Sequence, residues 1–453
     1  MSSPIQLPIV TVQPDFDAVA TDVRDGVVPD ETFWVSCYKT GEPSVHGKVR
    51  AALDEKDRNL VQFEAQGGVE FEHVHEQVYT VACPELGAPR TRVTLPTRSF
   101  SDPLPVNAAG QRRRIAALDV APDGSQFAVG YDDGTVYIVP NVQSKPQAWA
   151  ASKAHLNAIT SLRFFPSSRV LLTAGVDFSM SILSAEPPVV PSSATGPTAA
   201  WIKPVRTFKG HARAITSTAI VSRGRNILSA SKDGTVRLWD VPSGSQVRSM
   251  GVSGFIPALA IDIGERGEGA FSQPPDGEDG PKSVQLDTRE VETSDKVVFC
   301  ALQDGSFQAF DLGAKQSVFH SQRGPSPLQS IAYAPASSLL ATGSEKGLIS
   351  VYDTRMLDVP LTTFSRNGAS VEDLTFLHSS GSESKEVGLA VATEDGLPYV
   401  VGVRPEGPVV QAELIGTDCD AVRAVRTGGL LREVWTASDD GIVRRYEGVT
   451  HIG

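Results

Sequence analysis

A histidine, a hydroxyl and an aspartate lie near one another in the middle of this 453-residue chain, at His211, Ser229 or Ser231, and Asp233. These are the residue types of a hydrolase triad, in which the histidine takes a proton from the hydroxyl and the carboxylate orients the histidine. Trp239 follows, and its indole N–H can donate to the same hydroxyl. Because the tryptophan and the strand spacing account for the whole set, we interpret it as a buried structural relay with Ser229. We predict no catalytic residue.

The residues around this set have the pattern of a small antiparallel sheet. Ile215–Ile220 and Ile227–Ser231 are short strand-like runs, and Thr235–Trp239 alternates between outward and inward residues. Asp233-Gly234 separates the last two runs and supplies the positive φ angles of a tight hairpin. The relay is therefore expected to tie the loops at one end of this sheet to its strands.

The segment from Gly210-His211 to Trp239-Asp240 resembles a WD repeat, a β-propeller blade with a period of roughly 40 residues. Its Asp-Gly turn, or a remnant of that turn, occurs six more times along the chain. These turns lie at Asp133-Gly134, Asp177-Phe178, Asp304-Gly305, Lys346-Gly347, Asp395-Gly396 and Asp440-Gly441. An apolar strand precedes each turn and an alternating strand follows it. The pattern therefore predicts an all-β fold, a closed seven-bladed WD-repeat β-propeller.

The propeller is expected to occupy residues 91–453. Its last blade ends after a third strand, Ile442–Glu447, so we predict that an N-terminal strand near Thr91–Phe100 supplies the fourth and closes the ring. Glu186–Pro204 and Gly264–Lys296 lack apolar periodicity, and we interpret both as exposed loops, the second as disordered.

Residues 1–90 do not fit the repeat and predict a small, mostly β N-terminal domain. Its strand-like runs are Thr32–Tyr38, Val45–Ala51, Leu60–Glu64, Val69–Val74 and Gln77–Cys83. His73 and His75 would share one strand face, but a metal site needs further ligands that the sequence does not place. We therefore expect neither a metal nor a cofactor.

The composition narrows the range of partners and compartments. The formal net charge of −12 argues against nucleic acid and favours a basic protein partner. The basic run at 112–114 is short, and we interpret it as a solvated turn. Four scattered cysteines indicate free thiols in a reducing compartment. With no signal peptide and no membrane-spanning stretch, the sequence predicts a cytoplasmic and nuclear protein without a membrane partner, and we expect a monomer.

Three parts of the chain resemble the proteasomal ATPase-associated factor family. They are TAIVSRGRN within Thr207–Asp240, the segment Leu414–Tyr446, and an N-terminal part with Trp34–Cys37, Gly41–Ser44 and His46-Gly47. The resemblance implies a small N-terminal domain before a seven-bladed propeller. It also implies an assembly chaperone of the proteasome regulatory particle base that binds the C-terminal domain of a proteasomal ATPase subunit.

One rim of the predicted propeller is acidic over part of its circumference. Two kinds of loop reach this rim, those before the first strand of each blade and those between the second and third strands. The carboxylates predicted there as partner-binding residues are Asp132, Glu345, Glu372, Glu394, Asp418, Asp420 and Asp439. Blades 3 and 4 carry Ala212, Ala214, Lys232 and Gln303 at matching places. Our hypothesis is that these carboxylates form an acidic arc that binds basic residues of an ATPase. The alternative is that they only keep the protein soluble.

Two other functions remain open from the sequence. The ring could be a general WD-repeat adaptor, for example in a chromatin or ubiquitin-ligase complex. It could also be a propeller hydrolase, which would require an inward-facing cluster of carboxylates or a metal in the channel. No enzyme motif supports the hydrolase, so we predict a non-enzymatic scaffold.

Overall fold

The computed structural model describes residues 3–54, 60–102, 113–142, 148–187, 198–267, 287–377, 387–404, 406–428 and 433–449. Within these ranges the chain is built mostly of β-strands, with one α-helix, Phe16–Arg24, and short 3₁₀ turns at Pro84–Leu86, Ser253–Phe255 and Pro335–Ser337. No described helix is both long and apolar enough to cross a membrane.

Each of eight sheets in the described chain contains four consecutive antiparallel strands, and we number the seven outside the N-terminal domain as blades 1 to 7. Blade 1 contains Ile115–Val120, Gln126–Tyr131, Val136–Pro140 and Ala148–Ser152. Blade 2 contains Ile159–Phe164, Val170–Gly175, Ser179–Ser184 and Arg206–Lys209. Blade 3 contains Ile215–Val221, Asn226–Ser231, Thr235–Asp240 and Ser245–Gly251. Blades 4 and 5 contain Ala258–Glu265, Lys296–Leu302, Phe307–Asp311 and Gln316–His320; and Leu328–Ala334, Leu339–Ser344, Ile349–Asp353 and Thr362–Ser365. Blades 6 and 7 contain Val371–Leu377, Val387–Thr393, Tyr399–Arg404 and Gly407–Leu414; and Val422–Thr427, Val434–Ser438, Ile442–Tyr446 and Arg98–Ser101.

The blades stand around a central channel. The first strand of each blade contacts the first strand of the next, and that of blade 7 contacts that of blade 1. Every pair of neighbouring blades also shares an apolar core, and these seven cores account for most of the buried hydrophobic residues of the ring. The predicted all-β propeller is therefore confirmed.

The strand that completes blade 7 is shorter than predicted. Arg98–Ser101 pairs with the third strand of that blade, with Phe100 opposite Val443. The first part of the predicted strand is wrong, because it belongs to Ala88–Thr94, which pairs in parallel with the fourth strand of blade 6. Pro96 lies between the two strands, and its missing N–H suits a break in the pairing. The predicted domain boundary at residue 90 falls inside Ala88–Thr94.

Three blades carry extra outer strands, none of which the sequence assigned to a blade. Ile5–Gln6 pairs in parallel with blade 5. Val78–Cys83 and Glu70–His75 follow Ala88–Thr94, so the sheet of blade 6 has seven strands. Thr198–Trp201 pairs in parallel with the fourth strand of blade 1, so this part of the predicted loop is a strand. Residues 188–197, and 268–286 of the second predicted loop, lie outside the described residues.

The N-terminal domain combines the one described sheet that is not part of a blade with a helix that the sequence did not predict. The sheet contains, in order, Ile9–Val12, Asp30–Tyr38, Val45–Leu53 and Val61–Gln66. The helix buries Phe16, Val19, Ala20 and Val23, the spacing of one helical face, in the apolar core of this domain. The same core takes in Tyr79, 5.0 Å from Phe16 between ring centres, and so joins the domain to the seven-stranded sheet.

Candidate functional site

The four relay residues of blade 3 form one connected hydrogen-bond chain. His211 Nδ1 lies 2.8 Å from Asp233 Oδ2, and His211 Nε2 lies 2.7 Å from Ser229 Oγ. The indole N–H of Trp239 donates to the same Ser229 oxygen over 2.9 Å. Ser231 is not part of this chain, because its hydroxyl donates to the backbone oxygen of Arg213.

The protonation of the relay follows from its burial. Burial lowers the pKa of His211, against the opposing effect of Asp233. Burial also disfavours the charged form of Asp233, but hydrogen bonds from Thr235, His211 and the Ala212 N–H outweigh it and lower the Asp233 pKa to about 2. A neutral imidazole then donates from Nδ1 to the carboxylate and accepts the Ser229 proton at Nε2. With the indole bound to its oxygen, Ser229 is fully engaged in holding the blade together.

Blade 2 contains a second relay of the same kind. His155 Nδ1 lies 2.9 Å from Asp177 Oδ1, and His155 Nε2 lies 2.9 Å from Thr173 Oγ1. Leu183 takes the place of the tryptophan, so this hydroxyl has no indole partner, and its oxygen lies 3.2 Å from the backbone oxygen of Ser181. From the sequence, His155 is a second remnant of the Gly-His start and Asp177 marks a turn; the threonine was missed, although it precedes the turn at the same distance as Ser229 in blade 3.

Acid is expected to weaken the fold from about pH 6.5 downward. Burial lowers the pKa of both His155 and His211. Below the unfolded-state pKa of about 6.5, the unfolded chain therefore binds protons that the folded chain does not, and the free energy of unfolding falls. Melting curves at pH 7.5 and 5.5 check this. The double variant His155→Gln and His211→Gln should lose less stability between the two pH values than the wild type; an equal loss would assign the effect to other groups.

Two kinds of loop meet at one rim of the ring, and we call it the turn rim. The leading loop of a blade precedes its first strand, and the second turn joins its second and third strands. In all seven blades the first residue of the second turn donates its backbone N–H to the leading loop of the same blade, over 2.9–3.0 Å. Each of the six second turns that contain glycine also packs on the next blade: a Cβ on Gly134, for example, would lie 2.4 Å from the backbone oxygen of His155. The rim is therefore continuous around the ring.

Four of the predicted partner-binding carboxylates are exposed on this rim. Asp132, Glu345 and Glu394 lie in the second turns of blades 1, 5 and 6, and Asp418 lies in the leading loop of blade 7. Asp420 is half-buried beside them, and its backbone contacts the turn glycine of blade 6. We call these five residues the acidic sector.

The other two predicted carboxylates hold an arginine that the sequence interpretation missed. Arg423 Nη1 lies 2.9 Å from Glu372 Oε2, and its Nε and Nη2 bind both carboxylate oxygens of Asp439 at 3.1 and 2.8 Å. Glu372 lies within the first strand of blade 6, so its placement in a rim loop is wrong. Because Arg423 offsets one of these two charges, the pair is less available to a partner than the exposed carboxylates.

The basic run at 112–114 is not the solvated turn that we expected. Arg113 is buried, and its Nη2 lies 2.6 Å from both carboxylate oxygens of Asp102 and donates to the Tyr137 hydroxyl over 2.9 Å. Its guanidinium carbon lies 4.4 Å from the centre of the Tyr131 ring. The cation therefore joins the end of the closing strand to blade 1, and Arg114 alone of the described pair is exposed.

The channel contains inward-facing carboxylates, the feature that a propeller hydrolase would require. Asp119, Asp262 and Asp373 each accept a backbone N–H from the next blade, at 2.6, 2.7 and 3.1 Å. Arg426 pairs with Asp373 and lies 3.5 Å from Asp119. Burial raises the pKa of Asp119, and Arg163 and Arg426 oppose the rise. These bonds join neighbouring blades, and no described group of three or more His, Cys, Asp or Glu residues could hold a metal ion.

Comparison with known proteins agrees with this geometry. Residues 107–139, 150–182, 202–240 and 316–353 match the WD domain, G-beta repeat family, and each match ends in the third strand of a blade. Proteasomal ATPase-associated factor 1 of Bos taurus and of Homo sapiens are each 30% identical over 159 residues, 35% of this chain and 37% of theirs. The pre-rRNA-processing protein crb3/ipi3 of Schizosaccharomyces pombe is 26% identical over 185 residues, 40% of this chain and 41% of its own.

The alignments therefore span about two fifths of the length of these relatives. This chain therefore contains WD repeats and is similar, over about a third of its length, to proteasomal ATPase-associated factor 1.

Proposed function

We propose that this chain is a non-enzymatic scaffold that acts as an assembly chaperone of the proteasome regulatory particle base. In this role it binds the C-terminal domain of a proteasomal ATPase subunit. The observation that carries the proposal is the similarity to relatives whose name states an association with a proteasomal ATPase. We further propose a monomer that works in the cytoplasm and nucleus. The acidic composition supports a protein ligand rather than nucleic acid.

The acidic sector is the surface that we assign to this partner. Its exposed carboxylates lie on blades 5, 6, 7 and 1, which are neighbours around the ring. Rim charges of one sign raise the rate at which an oppositely charged partner docks, and their effect declines as salt screens them. A basic ATPase domain would therefore bind most tightly at low ionic strength.

Charge reversal in the acidic sector is expected to weaken ATPase binding at least tenfold. The test is titration of each purified C-terminal domain of the proteasomal ATPases against the wild type and against Asp132→Lys, Glu394→Lys and Asp418→Lys combined. These three positions are exposed, whereas reversal of Asp439 would also break its pair with Arg423. The variant should also lose most of the salt dependence of binding.

A matched control variant reverses three exposed carboxylates away from the turn rim, Glu31, Glu70 and Asp358. It changes the net charge equally and should bind as the wild type does. If ATPase binding were equally weak in both variants, the overall charge of the chain, and not the acidic sector, would be the cause. A wild-type protein that binds no ATPase domain would overturn the proposed function.

A second candidate is an adaptor ring in a different assembly. The similarity to a pre-rRNA-processing protein, over a slightly longer alignment, favours it. Affinity purification with mass spectrometry separates the two candidates. Recovery of proteasomal ATPases with few core-particle subunits supports the chaperone, and recovery of pre-ribosomal proteins without ATPases supports the adaptor.

A further inference from the structure

The turn rim on blades 2 to 4, next to the acidic sector, presents large apolar side chains to solvent. Leu156, in the leading loop of blade 2, is 91% exposed. Phe178, in the second turn of blade 2, is 44% exposed, and Phe255, in the leading loop of blade 4, is 70% exposed. Exposed large apolar side chains add nothing to the stability of a folded chain, and apolar patches on a surface mark sites of interaction.

Both phenylalanines have a backbone conformation that side chains disfavour. The φ angles of Phe178 and Phe255 are 67° and 51°, in the left-handed region that glycine adopts without strain. At the position of Phe178, the other six described second turns have glycine, with φ angles between 74° and 84°. An aromatic residue thus occupies a rim position at which glycine would adopt the same φ angle without strain. Residues with strained backbone angles cluster at functional sites.

The charges between these apolar residues are positive. Arg213, in the leading loop of blade 3, and Lys232, in its second turn, are both exposed, and no described carboxylate pairs with either side chain. The two carboxylates in this part of the rim, Asp177 and Asp233, are bound to the relay histidines. The sector therefore combines three exposed apolar side chains with two cations free to pair with a ligand.

We propose that Leu156, Phe178, Arg213, Lys232 and Phe255, which we call the apolar–basic sector, form a docking surface for an acidic protein segment with large apolar side chains. The apolar residues supply the desolvated contacts that carry affinity, and the two cations select an acidic ligand. This surface is opposite in chemistry to the acidic sector, so the inference does not depend on the proposed ATPase partner. Two cations on a chain of net charge −12 favour protein over nucleic acid.

The test uses defined fluorescein-labelled probes and fluorescence polarisation with the full chain. The main probe is a 14-residue peptide in which glutamates alternate with leucine and phenylalanine. One control peptide replaces each glutamate with lysine, another replaces the apolar residues with serine, and a 15-residue oligo-dT represents single-stranded DNA. We expect the acidic apolar peptide to bind at least tenfold more tightly than all three controls. Equal binding of either control peptide, or tighter binding of the DNA, would overturn the proposal.

Two variants locate the binding on the rim. Leu156→Ser, Phe178→Gly and Phe255→Ser combined should lower the affinity for the main probe at least tenfold. Arg213→Glu with Lys232→Glu should lower it and remove its salt dependence. Met356→Ser with Val359→Ser, which removes exposed apolar residues outside the turn rim, is the matched control and should bind normally. Binding that survives both rim variants would place the peptide elsewhere.

Phe178→Gly alone separates docking from folding. Because it relieves the left-handed strain, its melting temperature should be equal to or above that of the wild type, while its affinity for the main probe falls. A structural role for Phe178 would lower both quantities. A variant that keeps full affinity with a raised melting temperature would remove Phe178 from the docking surface.

Discussion

Trp239→Ala is expected to destabilise the propeller by about 3–5 kcal/mol. The indole is 2% exposed and belongs to the apolar core shared by blades 2 and 3, with the Phe208 ring 5.9 Å away between centres. Its loss leaves a cavity between two blades and removes one partner of Ser229. Because neighbouring blades support each other around the ring, the loss should appear in the global unfolding transition. Urea and thermal unfolding of the purified variant measure it.

Trp239→Phe is the matched variant for this experiment. It keeps most of the apolar volume and removes the N–H donor, so it should cost about 1–2 kcal/mol. The difference in unfolding free energy between the two variants then measures the effect of the cavity. The difference between Trp239→Phe and the wild type measures mainly the effect of the hydrogen bond. A Trp239→Ala protein that melts like the wild type would contradict the relay as a structural element.

Arg366→Ala is expected to cost about 3–5 kcal/mol and to loosen the N-terminal segment from the ring. Arg366 and Glu413 form a buried ion pair between the loop after blade 5 and the last strand of blade 6. Arg366 also donates to the Pro8 oxygen over 3.1 Å, and Glu413 accepts the Val10 N–H over 3.0 Å. Removal of the arginine leaves a carboxylate whose pKa burial already raises. Hydrogen exchange at Val10, together with urea unfolding, measures both effects.

Arg355→Ala provides the control for that variant. Arg355 pairs with Asp353 on the same blade 5, but its side chain is 60% exposed, so its loss should change stability by about 1 kcal/mol or less. Hydrogen exchange at Val10 should not change. If Arg366→Ala behaved like Arg355→Ala, the buried pair would not be what holds the N-terminal residues on blades 5 and 6.

Local chemistry explains why the ring could be predicted. The second turns are marked by residue types that a left-handed φ requires, and strands on either side alternate or run apolar because both faces of a blade pack on neighbours. Which of Ser229 and Ser231 belongs to the relay could not be decided from the residues around them. Both are buried on the same strand, and only the packing of Trp239 settles which hydroxyl it reaches.

Features that depend on distant pairing were missed. Ile5–Gln6 and Thr198–Trp201 lie on outer edges of blades, where a strand needs few apolar residues and leaves no periodic signal. Arg423 binds Glu372, in the first strand of blade 6, and Arg113 binds Asp102, just after the closing strand. The sequence does not place either partner next to its arginine. The helix Phe16–Arg24 was recoverable, because its apolar residues have helical spacing; the strand-like runs around it masked that pattern.

The closing strand has a consequence for how the chain is made. Thr97 bonds to Arg445, 348 residues later, so blade 7 cannot form until the residues up to Arg445 have left the ribosome. At a synthesis rate of about 5–20 residues per second, the closing strand waits roughly 20 to 70 seconds for its partner. Through that interval the unfinished ring has open β edges, which pair readily with other chains. Slower elongation through blade 7 should therefore increase the aggregation of this chain.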